Sequence, residues 1–185
     1  VAPTEGVQGA ELHLNYDGSD YLSVLYAGPI RGAGGTSTAL SVALADMARK
    51  MLGIGRYEAQ QGEIERALEE IEIYNARAAR LQYMPEEEDI RTILASCPVC
   101  IDGLPTEEFE VNIHRDVKRL DKNGKQETIT NRIRGGICLV ICEGIAQKAR
   151  SVMKHTRNAG LDWGWLNNII KVEKGSGKSE VKDAV

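Results

Sequence analysis

No apolar run in this chain approaches the roughly 20 residues that a helix needs to cross a bilayer. Residues 1–20 also lack the basic start and apolar core of a secretion signal. A membrane span is therefore not expected, and a cytoplasmic location is. An excess of positive charge is missing too: 23 Lys and Arg stand against 27 Asp and Glu, for a net −4. A domain whose whole surface coats nucleic acid usually has a basic balance. Any nucleic-acid contact must then come from a local patch, with the acids gathered elsewhere, at Glu63, Glu65, Glu69, Glu70 and Glu72 and at Glu86–Asp89. Histidines are few and scattered, at 13, 114 and 155, without a fixed carboxylate or cysteine partner. GxSxG, HExxH and paired DxD-type acids are absent. No catalytic residue and no metal ligand is assigned, and Glu runs at helical spacing read as solvated faces.

What is present suffices for one domain. With 185 residues, 42% hydrophobic and 27% charged, the chain can bury an ordinary core. Its organisation reads as an irregular lead over 1–10, an α+β domain over 11–172 and a polar linker over 173–185. Val stands first and the end is Gly/Ser/Lys-rich, so both ends read as cuts in something longer.

Four cysteines leave alternatives open. Cys97-Pro-Val-Cys100 has the spacing of a zinc knuckle or a redox pair, but a ribbon needs a second CxxC. Cys138 and Cys142 lie four apart in an apolar helical run. Inert buried thiols, a four-cysteine metal site and a functional disulfide are the three readings.

The pattern of elements is hairpin, helices, hairpin, helices. Glu11–Tyr16 and Tyr21–Tyr26 flank an Asp17–Asp20 turn. A glycine-rich loop, Gly28–Gly35, leads to a helix with Thr36 or Ser37 as cap, apolar positions Leu40, Leu44, Met47 and Met51, and Gly53 as its stop. A helix over 61–82 has an inward stripe of Ile64, Leu68, Ile71, Tyr74, Ala78 and Leu81, and a third follows Pro85. Strands over 109–120 and 126–133 meet at the Asn123-Gly124 turn. Gly135-Gly136 opens a helix to Met153, and a short helix holds Trp163, Leu166, Ile169 and Ile170. The expected class is α+β: a small antiparallel sheet of two hairpins packed against about five helices.

Two places could hold an anion. A strand running through glycines into a helix start exposes N–H groups along the helix dipole, so Gly32, Gly34, Gly35 and Thr36 could bind a phosphate with Arg31 beside them. Gly32-Ala-Gly-Gly35 also fits the GxxG form with which KH domains hold a nucleic-acid backbone. Arg132 and Arg134, read as alternating on a strand before the Gly-Gly helix start, make a second candidate, and Arg56 could join the patch. The plain alternatives are a tight turn that needs glycine and pairing of the arginines with nearby glutamates.

Seven segments in order, Tyr26–Thr36, Ala39–Asp46, Leu52–Arg56, Arg80–Tyr83, Cys97–Gly103, Asn131–Gly136 and Glu143–Lys148, resemble the N-terminal region of the large subunit of the archaeal family-D DNA polymerases. That resemblance implies a KH-like domain of a polymerising subunit that works with a small 3′–5′ exonuclease subunit. It also implies Mg²⁺ held by an aspartate-rich motif that this chain lacks, and DNA as partner, with self-association a further option. The segment is then expected to be non-catalytic and to serve DNA holding and subunit assembly. Two alternatives stand beside this: a free-standing KH-like single-strand-binding module, and a purely structural interaction domain working through the Glu-poor helix faces or the Trp163–Ile170 segment.

Overall fold

A computed structural model describes residues 5–170; the expected linker over 173–185 lies outside the described residues, as do residues 1–4 of the lead. The elements are β1 (Val7–Leu14), β2 (Asp20–Tyr26), α1 (Gly35–Leu52), α2 (Gln61–Ile73), α3 (Glu87–Ser96), β3 (Cys100–Gly103), β4 (Lys118–Leu120), β5 (Gln126–Thr128), α4 (Gly135–Leu139) and α5 (Gln147–Asn158). The class is α+β, as expected. Val7–Ala10 belong to β1, so the lead is not irregular throughout.

The first hairpin forms because Asp17 bends the chain. Its Oδ1 accepts from the N–H (2.8 Å) and hydroxyl (2.6 Å) of Ser19, and Gly18 takes a φ of 89°. β1 and β2 then pair antiparallel. The sheet is mixed, not purely antiparallel, in the order β3-β2-β1-β4-β5. β3 runs parallel to β2, with Ser23 opposite Cys100 and Tyr26 opposite Gly103. All four residues of β3 are buried, as strands covered on both faces are. Four residues set between Pro98 and Pro105 carry too little pattern for a strand to be expected there.

The expected strand over 109–120 is interrupted. Val111 N–H donates to the Asn131 carbonyl (2.9 Å), but the next three N–H groups, of Asn112, Ile113 and His114, turn to the Glu69 carboxylate. Those bonds offset burial and hold the Glu69 carboxyl below its usual range. Only Lys118–Leu120 and Gln126–Thr128 form the second hairpin, across the turn expected at Asn123-Gly124.

Residues 135–158 make one rod in which α4 passes through a wider π-type turn, Val140–Ala146, into α5. Every residue from Gly135 to Ala146 is buried, which places this rod at the centre of the core. The inward positions that helical spacing gives it, Ile137, Val140, Ile141, Ile145, Ala149 and Val152, are all buried. The stripe of α2 also faces inward: Ile64, Leu68 and Ile71 are buried, with Tyr74 just beyond.

α1 turns the other way. Its buried face is Thr38, Ala39, Val42, Ala43, Asp46 and Arg49. Small side chains let its backbone approach the Val140–Ala146 turn, where Thr38 packs on Gly144. Leu44 (63% exposed) and Met51 (82%) therefore look outward, contrary to the sequence reading, and Leu52 (74%) stands out beside them.

Candidate nucleic-acid interface

The loop that enters α1 is folded, not open. Gly28–Ala33 form a 3-10 turn, Ile30 is buried, and Gly34 caps α1 with φ 80°. Neither Thr36 nor Ser37 caps the helix; Thr38 donates its hydroxyl to the Ile30 carbonyl (3.2 Å). Gly32 and Gly34 are exposed, and Gly35 and Thr36 half-buried. Gly35 is required because a Cβ there would overlap the Glu143 carbonyl and press on the Lys148 side chain.

Arg31 stands beside this turn but is engaged. Its Nη2 donates to Glu143 Oε1 (2.7 Å) and to the Arg80 carbonyl (3.0 Å), while the same Glu143 oxygen accepts from Gln82 N–H (2.8 Å). This pair ties the segment after α2 to the central rod. Arg56 is exposed and donates to the Ser96 carbonyl at the end of α3 (3.1 Å). It follows α1, whose 18 residues span about 27 Å, so Arg56 does not join the patch at the helix start.

Arg132 and Arg134 do not share a face. Both lie outside a strand, and the chain turns into α4 at Arg134. Arg132 is exposed and donates Nε to the Glu107 carbonyl (2.9 Å). Arg134 is only 6% exposed. It donates Nη1 to Asp102 (2.6 Å) and Nη2 to Glu70 (2.8 Å). The helix start beside it is closed as well: Gly135 N–H donates to Thr106 Oγ1 (2.8 Å), and Gly136 packs on the Tyr26 carbonyl.

Arg134 belongs to a buried chain of charges that sequence reading missed. Arg66 pairs with Glu70 (2.6 Å) and caps the Thr130 carbonyl; Arg119 pairs with Asp102 and with Glu127 (2.8 Å). The chain joins α2, β3, the β4–β5 hairpin and the start of α4. Burial alone would raise the Asp102 carboxyl, yet the Arg134 and Arg119 guanidiniums hold it down at about 2. Arginines fill both carboxylates, which leaves Glu70 and Asp102 unfit for a divalent cation. Among the described residues no three His, Cys, Asp or Glu side chains converge as a metal site requires.

All four cysteines are free and buried. Burial pushes the thiols of Cys97 and Cys142 up to about 12 and that of Cys138 well above its ordinary value. The Trp163–Ile170 segment packs inward: Trp163, Leu166 and Ile169 are buried, and Trp163 Nε1 donates to Asp46 (2.9 Å). It is part of the core rather than a free docking segment.

Two other surfaces stand out. The first is the outward apolar face of α1. The second is α5, which carries Lys148, Arg150, Lys154, His155 and Arg157 and no acid. A charge count at helical spacing over 147–158 would have revealed it in the sequence.

Residues 1–172 match the family described as DNA polymerase II large subunit DP2, N-terminal. The chain belongs to that family. It is 49% identical over 181 residues to the DNA polymerase II large subunit of Methanococcoides burtonii, covering 97% of this chain and 15% of that protein. Identity is 50% over 181 residues to the large subunit of Methanosarcina barkeri, with the same coverage. It is 49% over 183 residues to that of Thermoplasma acidophilum, covering 98% of this chain and 16% of the relative. The chain thus spans about a sixth of the length of the DP2 relatives it matches. No helix among the described residues is long and apolar enough to cross a membrane.

Proposed function

We propose that this chain is the non-catalytic N-terminal module of the large subunit of a DNA-directed DNA polymerase, docked onto the rest of that subunit through α1 and contributing to the holding of DNA. The observation that carries the docking is the outward face of α1, where Leu44, Met51 and Leu52 stand in water on a helix whose other face is fully packed. A contiguous apolar strip of this kind marks an interaction surface. The relatives are about six times longer, so the remainder of the large subunit is the nearest partner to cover it. Polymerisation by the full-length protein, with Mg²⁺ supplying the metal chemistry, belongs to residues outside this chain; the arginine-filled pair Glu70 and Asp102 takes no step in it.

The test is to express the rest of the large subunit as a separate polypeptide and measure its affinity for this chain. Covering each of these side chains stabilises a complex by about 1.5–3 kcal/mol. Leu44→Ser, Met51→Ser and Leu52→Ser together should then weaken binding roughly 100-fold or more while leaving the thermal midpoint of the exposed-site variant unchanged. No binding of the wild-type chain to the remainder would sink the docking. Binding instead to the small exonuclease subunit, or to a second copy, would move the strip to that partner.

A further inference from the structure

We propose that the exposed face of α5 is a docking strip for the phosphate backbone of DNA. This rests on the reading of the chain as part of a DNA polymerase, and it places the contact away from the arginines around Arg31 and Arg134, whose charges are spent inside the fold.

The case begins with charge. The chain is net −4, yet Gln147–Asn158 holds two lysines, two arginines and a histidine with neither Asp nor Glu. Several arginines elsewhere are matched to acids within the fold, Arg31 with Glu143, Arg49 with Asp46, Arg66 with Glu70, Arg91 with Glu65 and Glu87, while Arg56 and Arg132 are tied to backbone carbonyls. Among the described residues Lys148, Lys154 and Arg157 have no such partner. The helix dipole explains cations only in the last turn, at His155 and Arg157. Lys148 and Arg150 lie in the middle of the 135–158 rod, where the dipole offers them nothing.

Geometry sets the cations in a row. Ala149, Val152 and Thr156 are buried, which turns Arg150, Lys154 and Arg157 outward at spacings of four and three, on one side of the helix. At 1.5 Å of rise per residue the three cover about 10 Å of helix axis. That length suits two or three successive phosphates of one strand, whose charges recur about every 3.4 Å along a duplex axis. Lys148 adds a fourth charge on the side towards α1, where its methylenes lie against Gly35.

The same face tells against other polyanions. The exposed residues of α5 are Arg150, Ser151, Lys154, His155, Arg157 and Asn158, without an exposed aliphatic side chain among them. A membrane-surface helix would offer an apolar face to the bilayer, and the apolar face of α5 is already packed in the core. A protein partner would ordinarily be anchored by a buried aromatic or aliphatic hot spot, and α5 offers none. Phosphates along a backbone need only what is there: spaced, solvated cations.

The experiment measures binding of labelled single-stranded and duplex oligonucleotides by the 185-residue chain, between about 20 and 150 mM salt, over which counterion release makes log affinity fall linearly with log salt. Lys154→Gln/Arg157→Gln removes two cations at exposed positions whose loss leaves the core untouched. Lys122→Gln/Lys125→Gln, on the exposed β4–β5 turn, removes the same charge elsewhere. The α5 variant should bind at least ten-fold more weakly at low salt, with the slope of log K against log salt reduced by about 2, and the turn variant should match wild type. Wild-type protein that binds neither oligonucleotide would overturn the proposal, as would equal losses in the two variants. Polyglutamate bound as tightly as DNA would overturn it too and make the strip a site for an acidic protein. No other polymerase part enters this assay, so its failure leaves the α1 docking standing, and failure of that docking leaves this one untouched.

Discussion

Arg134 was expected on the surface and lies inside, because the residues around it offer two buried carboxylates at hydrogen-bond distance. An arginine in water needs no partner; one brought under the sheet does, and Glu70 and Asp102 supply it. Asp102 carries the clearest consequence. Its carboxyl falls from 3.8 to about 2, so the stability it contributes is present above the unfolded value and is lost as pH falls towards the folded one. That difference is worth about 2 kcal/mol. Equilibrium unfolding should show stability dropping between about pH 4 and pH 2, and Asp102→Asn should lose about 3–5 kcal/mol at neutral pH with much of that acid slope removed. A variant as stable as wild type, with the same acid slope, would show that the pair with Arg134 and Arg119 does not hold the fold. Nothing in local sequence marks this network. Glu70 reads as one more acid on a solvated, glutamate-rich helix face, and only the arrival of Arg134, 64 residues later, shows that it is buried. The glycines were more legible: Gly18, Gly53 and Gly124 all take the positive φ that their turns or caps demand.

Elements with strong period or turn chemistry read correctly from sequence. The two hairpin turns, the stripe of α2 and the inward face of the 135–153 helix all follow from it. β3 did not, since four residues between prolines carry no period and pair only through the distant β2. α1 was recognised as a helix but turned outside in. Its larger apolar residues lie at the expected spacing of four and three, yet Ala39, Val42 and Ala43 are what the core admits, because a close helix crossing selects small residues. The start of α4 shows the same closeness, with Gly136 pressed on the Tyr26 carbonyl. Gly136→Ala has no room for its methyl against backbone atoms and should cost about 3 kcal/mol, which lowers the thermal midpoint by roughly 10 °C in circular dichroism. An unchanged midpoint would mean that the strand–helix crossing is loose. The anion site expected at this Gly-Gly start is closed by the same packing, since both glycines are buried and the Gly135 N–H is taken by Thr106 Oγ1.

At the scale of the molecule, two faces of one helix pair divide the work proposed for this DP2 domain. α1 presents bare apolar side chains for assembly, and α5 presents a row of exposed cations for DNA. The family was legible in ordered motifs, several of which hold the glycines and the buried arginine at tight crossings. The working surfaces were not, because exposure depends on which way each helix rolls. The most direct measurement of the central claim uses Met51, 82% exposed on the outward face of α1. Methionine in water is converted readily to the sulfoxide, and burial slows the reaction. Mass spectrometry of peroxide-treated samples should find Met51 oxidised at least ten-fold more slowly in the intact large subunit than in this chain alone. Equal rates in the two would leave α1 uncovered in the assembled enzyme and contradict the docking of this module through that face.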